Sequence, residues 1–422
     1  MDFLISRDFA RTLDRADPLA RYRADFFRPD AGLVYFDGNS LGALPYKTLE
    51  KMDSFVREQW GTDLIRGWNK NWWDAAARVG EKIASLVGAA PGQVLVSDST
   101  SMNLYKLAGA ALKLRPQRRK IITDTFNFPS DIYILQGLAA SDASYKIVTI
   151  GAADNDITPD LAALDAAIDE DTALVTLSHV VFKSGYLYDM AKITEMAHKK
   201  GALVLWDLSH SVGSVDVQLD AADADFAIGC TYKYLNGGPG SPAFLYVNKK
   251  LQAEAVSPIW GWWGQDKPFD FGLDYSPAPG VNRFLVGTQP MLSILAMEES
   301  LTPTLSAGMA AIREKSVKLT EYSIQLQDAL LSQLGFTLGS PRQAERRGSH
   351  ISIRHPEGYR INRALIDEMN VIPDFRAPDN LRLGFAPLYV SFEEVWEGFD
   401  RIRRVVVEKR YEKYPKEKLA VT

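Results

Sequence analysis

Cysteine is almost missing from this chain: Cys230 stands alone among 422 residues. No intramolecular disulfide can form, and a zinc cluster of cysteine ligands is excluded. Nothing asks for an oxidising compartment, so the expected setting is the cytoplasm. Histidine is scarce too. His179, His198, His210, His350 and His355 show no HxH or HExxH spacing, and no metal site is expected. No apolar run approaches the roughly 18–20 residues that span a bilayer. The opening MDFLISRDFARTLDRADP mixes acids and bases and does not read as a signal peptide. There is no basic excess either. The 48 Lys+Arg stand against 53 Asp+Glu, a net charge of −5, which excludes a nucleic-acid binder working through bulk charge. Repeats and low-complexity tracts are absent.

What remains is an ordinary globular composition, 46% hydrophobic and 24% charged. That rules out disorder, collagen and a coiled-coil rod. Short β-branched runs sit at residues 94–97, 120–123, 173–178, 202–207, 226–230 and 243–247. Helical patterns lie between them, at 101–114, 130–139, 159–168 and 190–200. This alternation predicts an α/β fold, a mostly parallel sheet flanked by helices. ALVTLS and ALVLWD are apolar almost throughout, as in strands buried on both faces. Residues 258–290, with PIWGWWG and YSPAPG, read as long loops with a purpose. A long helix over 310–334, a strand over 350–354 and helices over 359–368 and 392–408 predict a smaller α+β domain. The domain reading is therefore 1–45 packing with the small domain, 46–300 as the large domain and 301–422 as the small one.

Ligands of open α/β sheets bind beyond the carboxyl ends of the strands. One strand ends in Asp207-Leu208-Ser209-His210, the next in Thr231-Tyr232-Lys233-Tyr234, and another in Ser178-His179. Either the acid or the lysine alone is ordinary: an Asp there usually caps a helix, and a Lys is usually a solvated charge. Together they are the two groups that pyridoxal phosphate requires. A buried lysine amine becomes a nucleophile able to form a Schiff base, and a carboxylate keeps the ring nitrogen protonated. Asp98-Ser99-Thr100-Ser101 opens a helix after a strand, a place that binds phosphate, although hydroxyls there more often mean only an N-cap. Phe128, in Phe126–Asp131, could stack on a planar ring or simply pack. GGPGSP (237–242) lacks a phosphate-loop spacing and reads better as a turn. Trp260, Trp262 and Trp263 among glycines suit a planar ligand or a subunit contact better than a core.

The combination of YFDGNSLGALP, NFPSD, WDLSHSVG, IGCTYKYLNGGPGS, GWWG, GTQP, RGSH and LRLGFAPLY resembles bacterial kynureninases nearly end to end. The resemblance implies the aspartate-aminotransferase fold (fold type I, class V), with a seven-stranded sheet. It also implies a homodimer with composite active sites. Lys233 then matches the Schiff-base lysine, Asp207 the partner of the pyridine nitrogen, and Tyr232 a proton shuttle. Phe128 stacks on the ring within the cofactor-binding run Phe128, Pro129, Ser130 and Asp131. Thr100 and Ser101 meet the phosphate end. Ser178, His210 and Tyr232 are further cofactor contacts, and Trp262 and Thr288 are supplied across the dimer interface. Arg382 grips the substrate α-carboxylate, with Trp68, Asn39 and Ser40 also at the substrate.

The implied reaction is hydrolysis of L-kynurenine to anthranilate and L-alanine, in tryptophan catabolism toward NAD. Lys233 takes the α-proton, water adds to the γ-carbonyl, and the Cβ–Cγ bond breaks. Family members that favour the 3-hydroxylated substrate carry His and Asn where this chain has Trp68 and Thr288, which implies a weaker reaction with that substrate here. A cysteine desulfurase or selenocysteine lyase would need a mobile nucleophilic cysteine, which Cys230 is not. An aminotransferase rests on fold analogy alone. A non-catalytic pyridoxal-phosphate module usually carries a DNA-binding domain, for which the chain has neither a basic arm nor the length.

Overall fold

In the computed structural model, which describes residues 4–417, the apolar runs of the chain's middle become one sheet. The chain opens with α1 (Arg7–Arg15), β1 (Val34–Tyr35), α2 (Tyr46–Ser54) and α3 (Ala75–Leu86). The β/α stretch follows as β2 (Val94–Val96), α4 (Thr100–Leu114), β3 (Lys120–Asp124), α5 (Pro129–Ser141) and β4 (Lys146–Ile150). It continues through α6 (Leu161–Ala167), β5 (Thr172–Ser178), α7 (Met190–His198), β6 (Leu203–Asp207), β7 (Phe226–Gly229) and β8 (Phe244–Val247). Then come α8 (Met291–Ser300), α9 (Thr302–Ala307), α10 (Met309–Leu326), β9 (Thr337–Leu338), β10 (His350–Arg354) and α11 (Gly358–Met369). The last elements are β11 (Val371–Ile372), β12 (Asp374–Arg376), β13 (Asn380–Gly384) and α12 (Phe392–Val407).

The seven-stranded sheet has the order β2-β8-β7-β6-β5-β3-β4. Only β8 is antiparallel to its neighbours. Burial on both faces explains the unbroken apolar runs of β5 and β6. The expected α/β fold is thus what the chain adopts. One strand of this sheet, β4, was not expected. It is an edge strand in which only Ile150 is fully buried, so KIVTI mixes apolar and polar residues instead of forming an unbroken apolar run. The expected helix over 310–334 is α10, continued by a π turn (Gln327–Leu331) and a 3-10 turn (Ser332–Leu334).

Two large hydrophobic cores form among the described residues, besides a small cluster of Val180, Leu187 and Val215. The first runs from Phe55 to Leu301 around the large sheet. The second gathers Ile312 to Val405 around the antiparallel sheet β12-β13-β10-β9. Ala10, Leu19, Tyr22, Phe26, Val34 and Phe36 are buried in this second core. There β1 adds in parallel to β11, so the N-terminal segment is anchored to the small domain. Residues 258–290 hold short 3-10 turns, with Trp263, Val281, Phe284 and Leu285 buried in the first core. Among the described residues no helix is long and apolar enough to cross a membrane.

Candidate active site

Strands β5, β6 and β7 are neighbours and parallel, so their carboxyl ends open on the same side. Asp207 ends β6 and His210 lies in the turn after it, and the turn after β7 carries Tyr232 and Lys233. These residues line a cavity of about 570 Å³, within the range of small-molecule sites. At one end α4 begins. Ser99 caps it, its hydroxyl accepting from the Met102 amide at 3.3 Å. The amides of the next residues lack intrahelical carbonyls, and Thr100 and Ser101 line the cavity there. Phe128, at the cap of α5, is 40% exposed and faces the opening. Ser130 and Asp131 follow on the first turn of α5.

The small domain and the N-terminal segment close the far wall. Arg382 on β13 is buried and donates to the Phe182 carbonyl at 2.8 Å and to Ser40 Oγ at 2.7 Å. Asp374 pairs with it at 2.5 Å, and its Nε has no partner. Asn39 and Ser40 come from the loop after β1. There the Gly42 amide donates to the Tyr232 carbonyl at 2.8 Å. A Cβ on Gly42 would collide with the Lys233 carbonyl, so this close approach requires glycine. Gly384 leaves room for Asn39 in the same way.

The electrostatics follow from burial. Ser209 holds Asp207 Oδ1 through its amide at 2.8 Å and its hydroxyl at 2.6 Å. Burial raises the Asp207 carboxyl, and burial together with the Asp207 charge pushes Asp131 well up. Lys233 opposes both shifts. Its Nζ lies 2.9 Å from His210 Nε2. Burial and the nearby cations hold that imidazole neutral, so Nε2 is available as an acceptor. The adjacent Cys230 and burial push the Tyr232 phenol up, which keeps it a protonated donor at neutral pH.

The structure brings Lys233, Asp207, Tyr232, Thr100, Ser101, Phe128, Ser130, Asp131, His210, Arg382, Asn39 and Ser40 to one cavity. Lys233 is half-buried rather than enclosed, because it opens into that cavity. Thr288 lines the cavity of its own chain. Four expected residues stand elsewhere. Ser178 lies behind the wall, in register with Asp207 and donating to Asn127 Oδ1 at 2.6 Å. Pro129 turns to a neighbouring hollow with Tyr133. Trp262 is 41% exposed in a separate aromatic hollow. Trp68 packs between Trp72 and Trp263, with ring centroids 5.3 and 5.1 Å away.

Sequence reasoning missed Ser241, Pro242, Gln289 and Arg376 at the cavity. The GGPGSP segment is the turn it was expected to be, with Gly238 and Gly240 at positive φ, and it also lines the site. GTQP held the signal for Gln289. Arg376 had none, because β12 reaches the site only through the small sheet.

The cavity fits pyridoxal phosphate on its own chemistry. Asp131 Oδ2, His210 Nδ1, both side-chain ends of Asn39 and Gln289 Oε1 are buried with no protein partner. Native interiors rarely leave so many polar atoms unpaired, and a polar ligand answers them. The α4 start suits a phosphate, Phe128 a ring face, the two carboxyls a ring nitrogen and Lys233 an aldehyde.

A family model described as the kynureninase C-terminal domain matches residues 312–402. One described as the DegT/DnrJ/EryC1/StrS aminotransferase family matches residues 62–224. The chain is 43% identical over 413 residues to a kynureninase of Pseudomonas fluorescens, covering 97% of each. It is 43% identical over 407 residues to a kynureninase of Burkholderia pseudomallei, covering 95% of each. Among solved structures, a cysteine desulfurase from Escherichia coli superposes with TM-score 0.77 at 18% identity, covering 93% of this chain and 98% of that one. A C-DES variant with glycine covalently linked to its PLP cofactor gives TM-score 0.77 at 20% identity, covering 89% of this chain and 99% of that one. At those identities the likeness is one of fold.

Proposed function

The chain belongs to the kynureninase family, pyridoxal-phosphate-dependent hydrolases of carbon–carbon bonds, and from that premise we propose which of its residues carry the reaction. The observation that supports the assignment is the convergence of Lys233, Asp207 and the α4 start on one cavity. The substrate is L-kynurenine and the products are anthranilate and L-alanine. When bound, pyridoxal phosphate supplies an electron sink for the charge left on the amino-acid fragment.

The protein's part is to bind, orient and move protons. Lys233 would hold the aldehyde carbon, and its amine would take the proton from the substrate Cα. Asp207, fixed by Ser209, holds the proton on the ring nitrogen, and Asp131 adds a second buried carboxyl beside it. Arg382 binds the α-carboxylate, aided by Asn39 and Ser40. Tyr232 is a protonated phenol next to Lys233, which suits it to donate a proton to carbon as the Cβ–Cγ bond breaks. Thr100 and Ser101 meet the phosphate. We also place the reaction in the cytoplasm, in a homodimer, with 3-hydroxy-L-kynurenine the weaker substrate.

The desulfurase reading fails on position. Cys230 is 1% exposed at the end of β7, its Sγ 3.8 Å from the Ser209 carbonyl, and burial raises its thiol. A buried, protonated thiol is no mobile nucleophile.

The test is direct. The purified holoenzyme should show a visible cofactor band, release anthranilate from L-kynurenine, and fix the cofactor to Lys233 on borohydride reduction. Lys233→Ala should lose the covalent cofactor and nearly all turnover. A reduced cofactor that maps to another lysine overturns the assignment.

A further inference from the structure

Lys106 is a charged side chain with no contact to solvent. It sits on α4 with 0% exposure, surrounded by the large-domain core. Its Nζ donates to Asp98 Oδ2 at 2.7 Å and to the Phe284 carbonyl at 2.8 Å, with Ser97 Oγ at 3.5 Å. Burying an ammonium costs several kcal/mol, and an apolar side chain of similar volume would often serve stability equally well. An ion pair kept there needs a reason other than packing.

Each acceptor leads to the cavity. Asp98 lines it and has φ +49, a left-handed backbone that non-glycine residues adopt only when neighbours hold them. Its carboxylate is held by Lys106 and by the Ser97 hydroxyl at 2.7 Å. Its carbonyl accepts from the Ala243 amide at 2.8 Å. This bent residue immediately precedes the Ser99 cap, so it aims the start of α4. Phe284 ends a 3-10 turn just before the loop that places Gly287, Thr288 and Gln289 on the cavity wall. One ammonium therefore ties the bend at the helix start to the loop beside it.

We propose that Lys106 is a positioning residue for the phosphate end of the cofactor site, setting the Asp98 bend against the 285–290 loop without touching the cofactor. This rests on reading the α4 start as the phosphate cradle. The chemistry is a cation held by two acceptors on different segments, so losing it loosens the cradle while the carboxyls at the ring end stay in place.

The experiment measures binding to the apo-protein, by fluorescence titration, of pyridoxal phosphate and of pyridoxal, which lacks the phosphate. Lys106→Met keeps the volume and removes the charge. It should weaken pyridoxal phosphate roughly tenfold or more while pyridoxal changes little, since a charged buried hydrogen bond is of that size. Asp98→Asn should do the same, and the double variant should be no worse than Lys106→Met alone. If Lys106→Met fails to fold, Lys106→Ala with added propylammonium replaces it. Recovery of phosphate-form affinity by propylammonium, and none by propanol, supports the role. Equal weakening of both ligands, no weakening, or additive effects of the two substitutions overturn it. If the unmodified apo-protein binds the two ligands equally, the cradle assignment itself is wrong, a result separable from the others.

Discussion

Asp124 shows how one carboxyl shapes the site from outside it. It ends β3 and is wholly buried, its Oδ1 accepting from the Phe126 and Asn127 amides at 3.0 and 2.8 Å. Tyr188 donates to the other oxygen. These bonds fold the turn that carries Phe128, Ser130 and Asp131. Burial pushes the carboxyl from its ordinary 3.8 up to about 6. Between those values the native state keeps a proton that the unfolded chain has released. Stability due to Asp124 is therefore full below about pH 4, falls as pH rises to about 6, and is level above that. A carboxyl raised from 3.8 to about 6 corresponds to about 3 kcal/mol. Asp124→Asn cannot titrate, so its unfolding free energy should gain on the parent by about that amount across this window. Asp37, also held at about 6, is common to both proteins and cancels in the difference. Urea unfolding of both proteins from pH 4 to 7 checks this, and a pH-independent difference would refute it.

At the scale of elements, the start of α4 does two jobs with one residue. Ser99 caps the helix, and the same turn presents free amides to the cavity. Ser99→Ala should cost about 1 kcal/mol of stability. It should also weaken pyridoxal phosphate binding, because the frayed turn no longer aims its amides. Denaturant unfolding and a cofactor titration read the two effects, and unchanged cofactor affinity would show that the cap serves only the helix. This element is legible in the sequence alone, since VLVS runs straight into DSTS and helical spacing follows. The acid and lysine are legible for the same reason: apolar runs such as LVLW and FAIG stop abruptly in polar residues. The edge strand β4 is not, because it mixes apolar and polar residues, with only Ile150 fully buried. Nor are Arg376 and Lys106. Their partners lie on other elements, as with Lys106 and Phe284, 178 residues apart, and no local pattern encodes such a contact. The family resemblance puts Trp68 at the substrate, yet within one chain it packs on Trp72 and Trp263.

The whole molecule supplies a reason for that displacement. Trp73, Trp262, Phe269 and Phe271 are exposed and their rings lie against one another, with Phe271 at 72% exposure. Trp73 stacks near Trp262, Trp263 and Phe269, so the exposed rings join the cluster that holds Trp68. An exposed apolar cluster of this kind marks a contact surface. A second copy of the chain is the occupant that would also place Trp68 and Trp262 near a cavity, that of the partner. Each site would then combine Lys233 from one subunit with Trp262 from the other. Mixing inactive Lys233→Ala protein with weakened Trp262→Ala protein creates hybrids in which one site has both intact residues. Activity after subunit exchange should rise above the sum of the two separate proteins. Thr288 is unsuitable for this design because it already lines the cavity of its own chain. In that arrangement Trp68 would lie against the substrate ring, where an indole face offers no good partner to a 3-hydroxyl. Burying that hydroxyl unpaired costs about 1–3 kcal/mol, so kcat/KM for L-kynurenine should exceed that for its 3-hydroxy derivative by roughly tenfold, and Trp68→His should narrow the gap. A fully active monomer in sedimentation, or hybrids no better than their parents, would separate Trp68 and Trp262 from the reaction and return both to ordinary surface packing.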